Sequence, residues 1–148
     1  MLNNDYRDIL LALSARKVKF ILVGAYAMAA HGFPRSTMDI DLWVKNDYEN
    51  SIRVLQALED FGAPSGELTP DDLQKIDMIY QIGVAPRRID ILTSIDGVEF
   101  DNAFNNSNSI EIDGIFVRVL SVSDLIQNKQ AAGRLKDLAD VETLIKDL

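Results

Sequence analysis

The sequence predicts an α+β (α/β) fold, a mixed β-sheet packed against helices with further helices at the carboxyl end. Three observations carry that reading. Short β-rich runs, KFILV, MDIDLWV, MIYQIGV and RIDILT, punctuate the chain. Between them lie segments whose apolar residues recur at helical spacing. Glycine, proline and Asn-Ser clusters mark the changeovers. At 148 residues the chain has the length of one domain, 1–148, and a chain of this size typically buries roughly 68–70% of the surface its unfolded form exposes.

Taken in order, residues 4–16 place Ile9, Leu10 and Leu13 on one helical face behind Asn4, the expected N-cap. Lys19 to Val23 is a strand, and Gly24 turns the chain into AYAMAAHG, an alanine-rich helix stopped by Gly32. Phe33 to Thr37 form a loop. In Met38 to Val44 the period of two sends Asp39 and Asp41 to one face and Ile40 and Leu42 to the other. Asn46 is expected to cap a helix over 47–61 with Ile52, Leu55, Leu58 and Phe61 as its buried stripe. GAPSGELTPDD then breaks the pattern and reads as a mobile loop, too short to separate two domains.

Met78 to Val84 and Arg88 to Thr93 read as a hairpin through an Ala-Pro-Arg turn, with Asp90 inside the second strand. A short helix around 99–104, the polar tract NNSNS and a hairpin turning at Asp113-Gly114 follow, with Ile110, Ile112, Phe116, Val117 and Val119 as strand residues. Ser121 with Asp124 resembles a capping box for a helix to about Ala132. Gly133 separates it from a last helix carrying Leu138, Val141, Leu144 and Ile145.

Composition narrows the chemistry. Apolar residues make up 47% and charged residues 26%, ordinary for a compact domain. No apolar run is long enough to span a bilayer, and MLNNDYRD lacks a signal-peptide layout, so a cytoplasmic location is expected, with no membrane partner. Without cysteine and with His31 as its one histidine, the chain leaves carboxylates for metal binding, which favour hard cations such as Mg²⁺ or Mn²⁺. The net charge of −8 disfavours long nucleic acid as a partner.

Asp39, Asp41 and Asp90 can bring three carboxylates from two strands together, and a divalent cation would resolve their repulsion. An Asp-x-Asp pair alone also occurs on solvated strand faces. Upstream, however, Gly24-Ala25 opens a helix whose free N–H groups can receive phosphate oxygens. With these residues in view, LVGAYAMAAHGFPRSTMDIDLWV followed by RRIDIL resembles the nucleotidyltransferase superfamily with the polymerase-beta-like fold, in particular its small bacterial branch of AbiEii-type toxins and minimal nucleotidyltransferases. The motifs span residues 19–93, and NKQAAGRLKDLADVE is similar to a C-terminal piece of such proteins.

The resemblance implies transfer of a nucleoside monophosphate from an NTP, ATP above all, to an acceptor hydroxyl with release of pyrophosphate. By position it implies Gly24 at the triphosphate, Asp39 and Asp41 as ligands of two Mg²⁺ ions (Mn²⁺ as the alternative), and Asp90 as a metal ligand that helps activate the hydroxyl. Ala25 stands where the family usually has glycine or serine, keeping the N–H and losing the hydroxyl. Arg35, Ser36 and Thr37 can contact phosphate or form a plain surface turn. For Lys129, Arg134, Lys136 and Asp137 the resemblance implies a nucleotide-facing motif, against a solvated helix face.

Other residues have simpler roles. His31 is expected to pair with helix-end carbonyls. Trp43 is open to base stacking or core packing, and Tyr26 is undecided. Asp71, Asp72 and Asp124 suit helix N-termini.

Two further readings stand beside the enzyme. One keeps the fold but makes the chain a non-catalytic or partner-dependent subunit of a toxin–antitoxin type complex, with a protein partner or a second copy. The other is a glycosyltransferase, which shares the Asp-x-Asp motif but leaves Asp90 and the glycine turn without a role. The acceptor stays open between a small molecule, a protein and a tRNA.

Overall fold

The computed structural model describes residues 2–64 and 66–148. Met1 and Ser65, the latter inside the expected GAPSGELTPDD loop, lie outside the described residues. In chain order the elements are α1 (Asn4–Ala15), β1 (Phe20–Val23), α2 (Gly24–Ala30), β2 (Asp39–Val44), α3 (Tyr48–Phe61), α4 (Pro70–Gln74), β3 (Ile79–Ile82), β4 (Arg88–Leu92), α5 (Phe100–Asn106), β5 (Asn108–Ile112), β6 (Ile115–Val119), α6 (Val122–Ala132) and α7 (Leu135–Lys146). Among the described residues the strands form one six-stranded sheet in the order β3-β4-β2-β1-β6-β5. β1 runs antiparallel to β2 and parallel to β6, while β2 runs parallel to β4. The two outer hairpins, β3–β4 and β5–β6, are antiparallel, so the sheet is mixed, as the sequence predicts.

The core follows from the period of two. Ile40, Leu42 and Val44 are fully buried on one face of β2, and Ile21 and Leu22 beside them are fully buried as well. Ile9, Leu10 and Leu13 of α1 join that cluster, each contributing about 1.5–3 kcal/mol by leaving water. On the other face of β2, Trp43 is buried and meets the Phe100 ring edge-on at 5.1 Å, and Phe100 stacks on Phe104. Core packing is therefore the role of Trp43. Among the described residues no helix is long and apolar enough to cross a membrane.

Four local expectations are corrected. Asn3, not Asn4, caps α1, its side chain accepting from the Tyr6 N–H at 2.8 Å. Asp47, not Asn46, caps α3, accepting from the Asn50 N–H at 2.7 Å. The buried stripe of α3 is Asn50, Ser51, Val54, Ala57 and Leu58, leaving Ile52, Leu55 and Phe61 on its margin. The rotation has a cause: buried Asn50 donates to the Lys19 and Lys45 carbonyls at 3.0 and 2.8 Å and accepts from the Lys19 N–H at 2.8 Å, clipping the ends of β1 and β2 together. Finally, the expected loop after α3 is partly helical. Thr69 and Asp72 form a reciprocal capping box that starts α4, with Pro70 in its first turn.

Candidate active site

The strand register builds the site. Parallel pairing sets Asp39 beside Arg88 and Asp41 beside Asp90, so four residues occupy the corners of a square on one face of β2 and β4. Asp39, Asp41 and Asp90 each offer a carboxylate oxygen, all within 4.8 Å of one another. Asp90 is buried and the other two are half-buried. Gly24, at the junction of β1 and α2, has φ +70°, and a Cβ there would overlap the Asp41 carboxylate. Glycine is thus required twice, for the turn and for the close approach. Among the described residues no side chain caps the N-terminus of α2, which leaves its first N–H groups available to a ligand.

Arg88 fills the fourth corner. Its Nη2 donates to Asp39 Oδ2 at 2.9 Å and to Asp90 Oδ2 at 3.1 Å, and its Nε donates to Asp90 Oδ1 at 2.9 Å. Thr37 adds a hydroxyl bond to Asp39 Oδ1 at 3.0 Å. Asp41 has no ion-pair partner among the described residues. Burial, with the Asp39 and Asp90 charges beside it, pushes its carboxyl up to about 7. One guanidinium against three carboxylates leaves the site short of positive charge. Hard oxygen donors at this spacing with a residual negative charge fit a divalent cation such as Mg²⁺.

A second charged cluster joins the loop after α2 to the C-terminal helices. Asp140 accepts from both terminal nitrogens of Arg35, one at 2.9 Å, and from Lys129 Nζ at 2.8 Å. Asp137 accepts from Arg134 Nε at 2.6 Å and lies 3.9 Å from Lys129 Nζ. Burial pushes both carboxyls up, but the cationic partners outweigh it and hold Asp137 and Asp140 below the usual carboxylate range. Lys136 is exposed outside these contacts.

Two cavities border the site. One of about 350 Å³ is lined by Gly24, Asp41, Lys129, Arg134 and Asp137, with Asp77 and Asp96 at its margin. The other, about 590 Å³, is lined by Ala25, Tyr26, Arg35, Ser36, Thr37 and the β5 residues Ile110 and Ile112. The candidates expected at the nucleotide are thus divided between two spaces, and Lys136 lines neither. Tyr26 packs edge-on against Tyr6 at 5.4 Å. His31 Nε2 lies 2.8 Å from the Leu120 carbonyl, a carbonyl beyond its own helix, so its role is to tie α2 to the end of β6. Ser121 accepts from the Asp124 N–H at 3.1 Å, half of the expected capping box, while buried Asp124 Oδ2 has no partner among the described residues.

Sequence reasoning passed over Arg88 and Asp140. The signal for Arg88 was present, since Arg88 and Asp90 stand two apart on one strand and must share a face. The Arg35–Asp140 pair spans 105 residues and has no local signature.

A mixed sheet that presents an acidic triad beside a glycine-started helix is the layout of a nucleotidyltransferase. The comparisons agree, for the chain belongs to the family described as "nucleotidyltransferase of unknown function (DUF6036)", whose model matches residues 2–147. Among solved structures it is similar in fold to a Thermotoga maritima protein described as a "putative nucleotidyltransferase". The TM-score is 0.63 at 20% sequence identity, over 99% of this chain and 94% of that one. None of the curated proteins compared with the chain matches it. The family match does not single out the AbiEii-type branch.

Proposed function

We propose that the chain is a metal-dependent nucleotidyltransferase that moves a nucleoside monophosphate from an NTP to an acceptor hydroxyl and releases pyrophosphate. The observation that carries this reading is the convergence of three carboxylate oxygens within 4.8 Å, beside a helix start that only glycine fits. Asp39, Asp41 and Asp90 would hold Mg²⁺, two ions in this reading, with Mn²⁺ as a substitute. Such ions, when bound, neutralise the charge that develops on the phosphoryl oxygens.

The chain's own groups have separate tasks. The N–H groups of Gly24 and Ala25 receive phosphate oxygens, and Lys129 and Arg134 face the triphosphate from the smaller cavity. Asp90 takes the proton of the acceptor hydroxyl. The acceptor oxygen then bonds to the α-phosphorus as the bond to the β-phosphate oxygen breaks, and the electron pair leaves with pyrophosphate. The acceptor, whether a small molecule, a protein or a tRNA end, has the larger cavity, with Thr37 on its wall and bonded to Asp39. A cytoplasmic setting supplies the ATP.

Labelled transfer tests the reading. With α-labelled ATP, Mg²⁺ and cell extract, an acceptor should gain the label, and Asp39→Ala or Asp41→Ala should abolish the gain. Absence of both nucleotide binding and metal-dependent stabilisation sinks it.

One observation supports the partner-dependent reading. Ile79 on the edge strand β3 and Ile76 just before it are exposed apolar side chains, a feature suited to a protein partner. Activity that appears only with a co-purified partner would favour it, and an active monomer would exclude it.

A further inference from the structure

Arg88 occupies a position that the proposed chemistry does not require to be cationic. It satisfies both oxygens of Asp90 and one of Asp39, and Thr37 takes the other Asp39 oxygen. Only Asp41 keeps its oxygens clear of protein cations among the described residues. A divalent ion held by these carboxylates would therefore compete with the guanidinium for the same oxygens. The side chain is free to yield, because it is about one-third exposed while its backbone stays fixed by pairing with β2. Its flexible stem lets the head leave without disturbing the sheet.

We propose that Arg88 is a resident counter-cation. It holds Asp39 and Asp90 in place before ligand arrives, is displaced when the divalent ion binds, and then turns to a phosphate oxygen of the nucleotide. This rests on the nucleotidyltransferase reading and gives the site an order of events. A permanent prop for the carboxylates would behave in the opposite way, since removing a prop weakens metal binding and removing a competitor strengthens it.

The test uses Mn²⁺ alone, counted as free ion by electron paramagnetic resonance, and the fluorescent nucleotide mant-ATP in the presence of Mn²⁺. Arg88→Gln should bind Mn²⁺ about fivefold or more tighter than wild type, because the competitor is gone. The same variant should bind mant-ATP more weakly, because the phosphate has lost its fork. Equal or weaker Mn²⁺ binding in Arg88→Gln overturns the proposal. Tighter Mn²⁺ binding with unchanged mant-ATP affinity supports the displacement and overturns the phosphate contact. Should the Gln variant not fold, Arg88→Lys, which keeps the charge but loses the bidentate grip, should still bind Mn²⁺ more tightly than wild type, and equal or weaker binding overturns the proposal. If neither Mn²⁺ nor mant-ATP binds to wild type or to any variant, the nucleotidyltransferase reading itself falls and takes this inference with it.

Discussion

The acidic triad and the C-terminal charged cluster are built from the same residue types and differ in their balance. Around Asp137 and Asp140 stand Arg35, Lys129 and Arg134, more cations than anions, and every carboxylate is doubly contacted. Around Asp39, Asp41 and Asp90, Arg88 is the one cationic partner among the described residues. The carboxylates of both clusters are largely shielded from water, yet Asp137 and Asp140 are lowered while Asp41 is raised to about 7. The balanced cluster is finished as it stands and ties α7 to α6 and to the loop before β2. The unbalanced one has fewer cations than anions among the described residues, an arrangement that suits a binding site.

The largest expected effect breaks the unbalanced side. Asp41→Asn should lower nucleotide transfer by at least about a thousandfold, on the scale of losing a principal electrostatic group, measured by initial rates in saturating Mg²⁺. The same change should leave the fold intact and raise metal-free stability at neutral pH. On the balanced side, Asp140→Asn removes the charge partner of Arg35 and the nearer of the two carboxylates around Lys129. Because Lys129 is only 9% exposed, the cost should be about 3–5 kcal/mol of unfolding free energy, the range for breaking one partner out of a buried pair. Urea unfolding monitored by circular dichroism measures it. A cost near zero would show that the cluster is as solvated as a surface pair.

Protons separate the two clusters by sign. Asp41 titrates near 7 in the folded protein and near 4 when unfolded, so the folded state holds the extra proton in between. Its contribution is full below about pH 4 and is lost as pH rises to about 7, on the order of 4 kcal/mol in total. Asp137 and Asp140, lowered on folding, contribute above the unfolded carboxylate range and lose that contribution as pH falls below it. Metal-free stability should therefore decline from about pH 4 to 7, and Asp41→Asn should flatten that limb while leaving the acid limb unchanged. The smallest effect belongs to Lys136, exposed and outside both cavities. Lys136→Ala should keep transfer within about twofold of wild type, whereas Lys129→Met should not.

Much of this was legible in the sequence. Strand periodicity alone put Asp39 and Asp41 on one face, and glycine placement marked the β1–α2 turn. The pairing of Asp41 with Asp90 required the sheet order, for which family resemblance served. Less legible was anything set by distant contacts. Arg35 sits next to Ser36 and Thr37, and local reasoning leaves all three open between phosphate contact and a surface turn. Its partner is Asp140, and this loop turns out to wall a different cavity from Gly24. The α3 stripe rotated for the same reason, since Asn50 is buried to close backbone hydrogen bonds that lie far from it in sequence. Thr69, Pro70 and Asp72, by contrast, announce a helix start in plain residues, and the expectation of Asp71 and Asp72 at a helix N-terminus holds although the segment as a whole reads as a loop.

In the proposed function, a divalent cation binds where positive charge is deficient, at Asp39, Asp41 and Asp90. Calorimetric titration of Mn²⁺ into the metal-free protein near pH 7, in two buffers of different ionisation heat, tests it most directly. Wild type should bind Mn²⁺ with release of protons, because burial and the neighbouring carboxylates raise the Asp41 carboxyl to about 7 and leave it partly protonated there, and Asp41→Asn should bind much more weakly and without that release. Absence of binding, or equal affinity in Asp41→Asn, would contradict it.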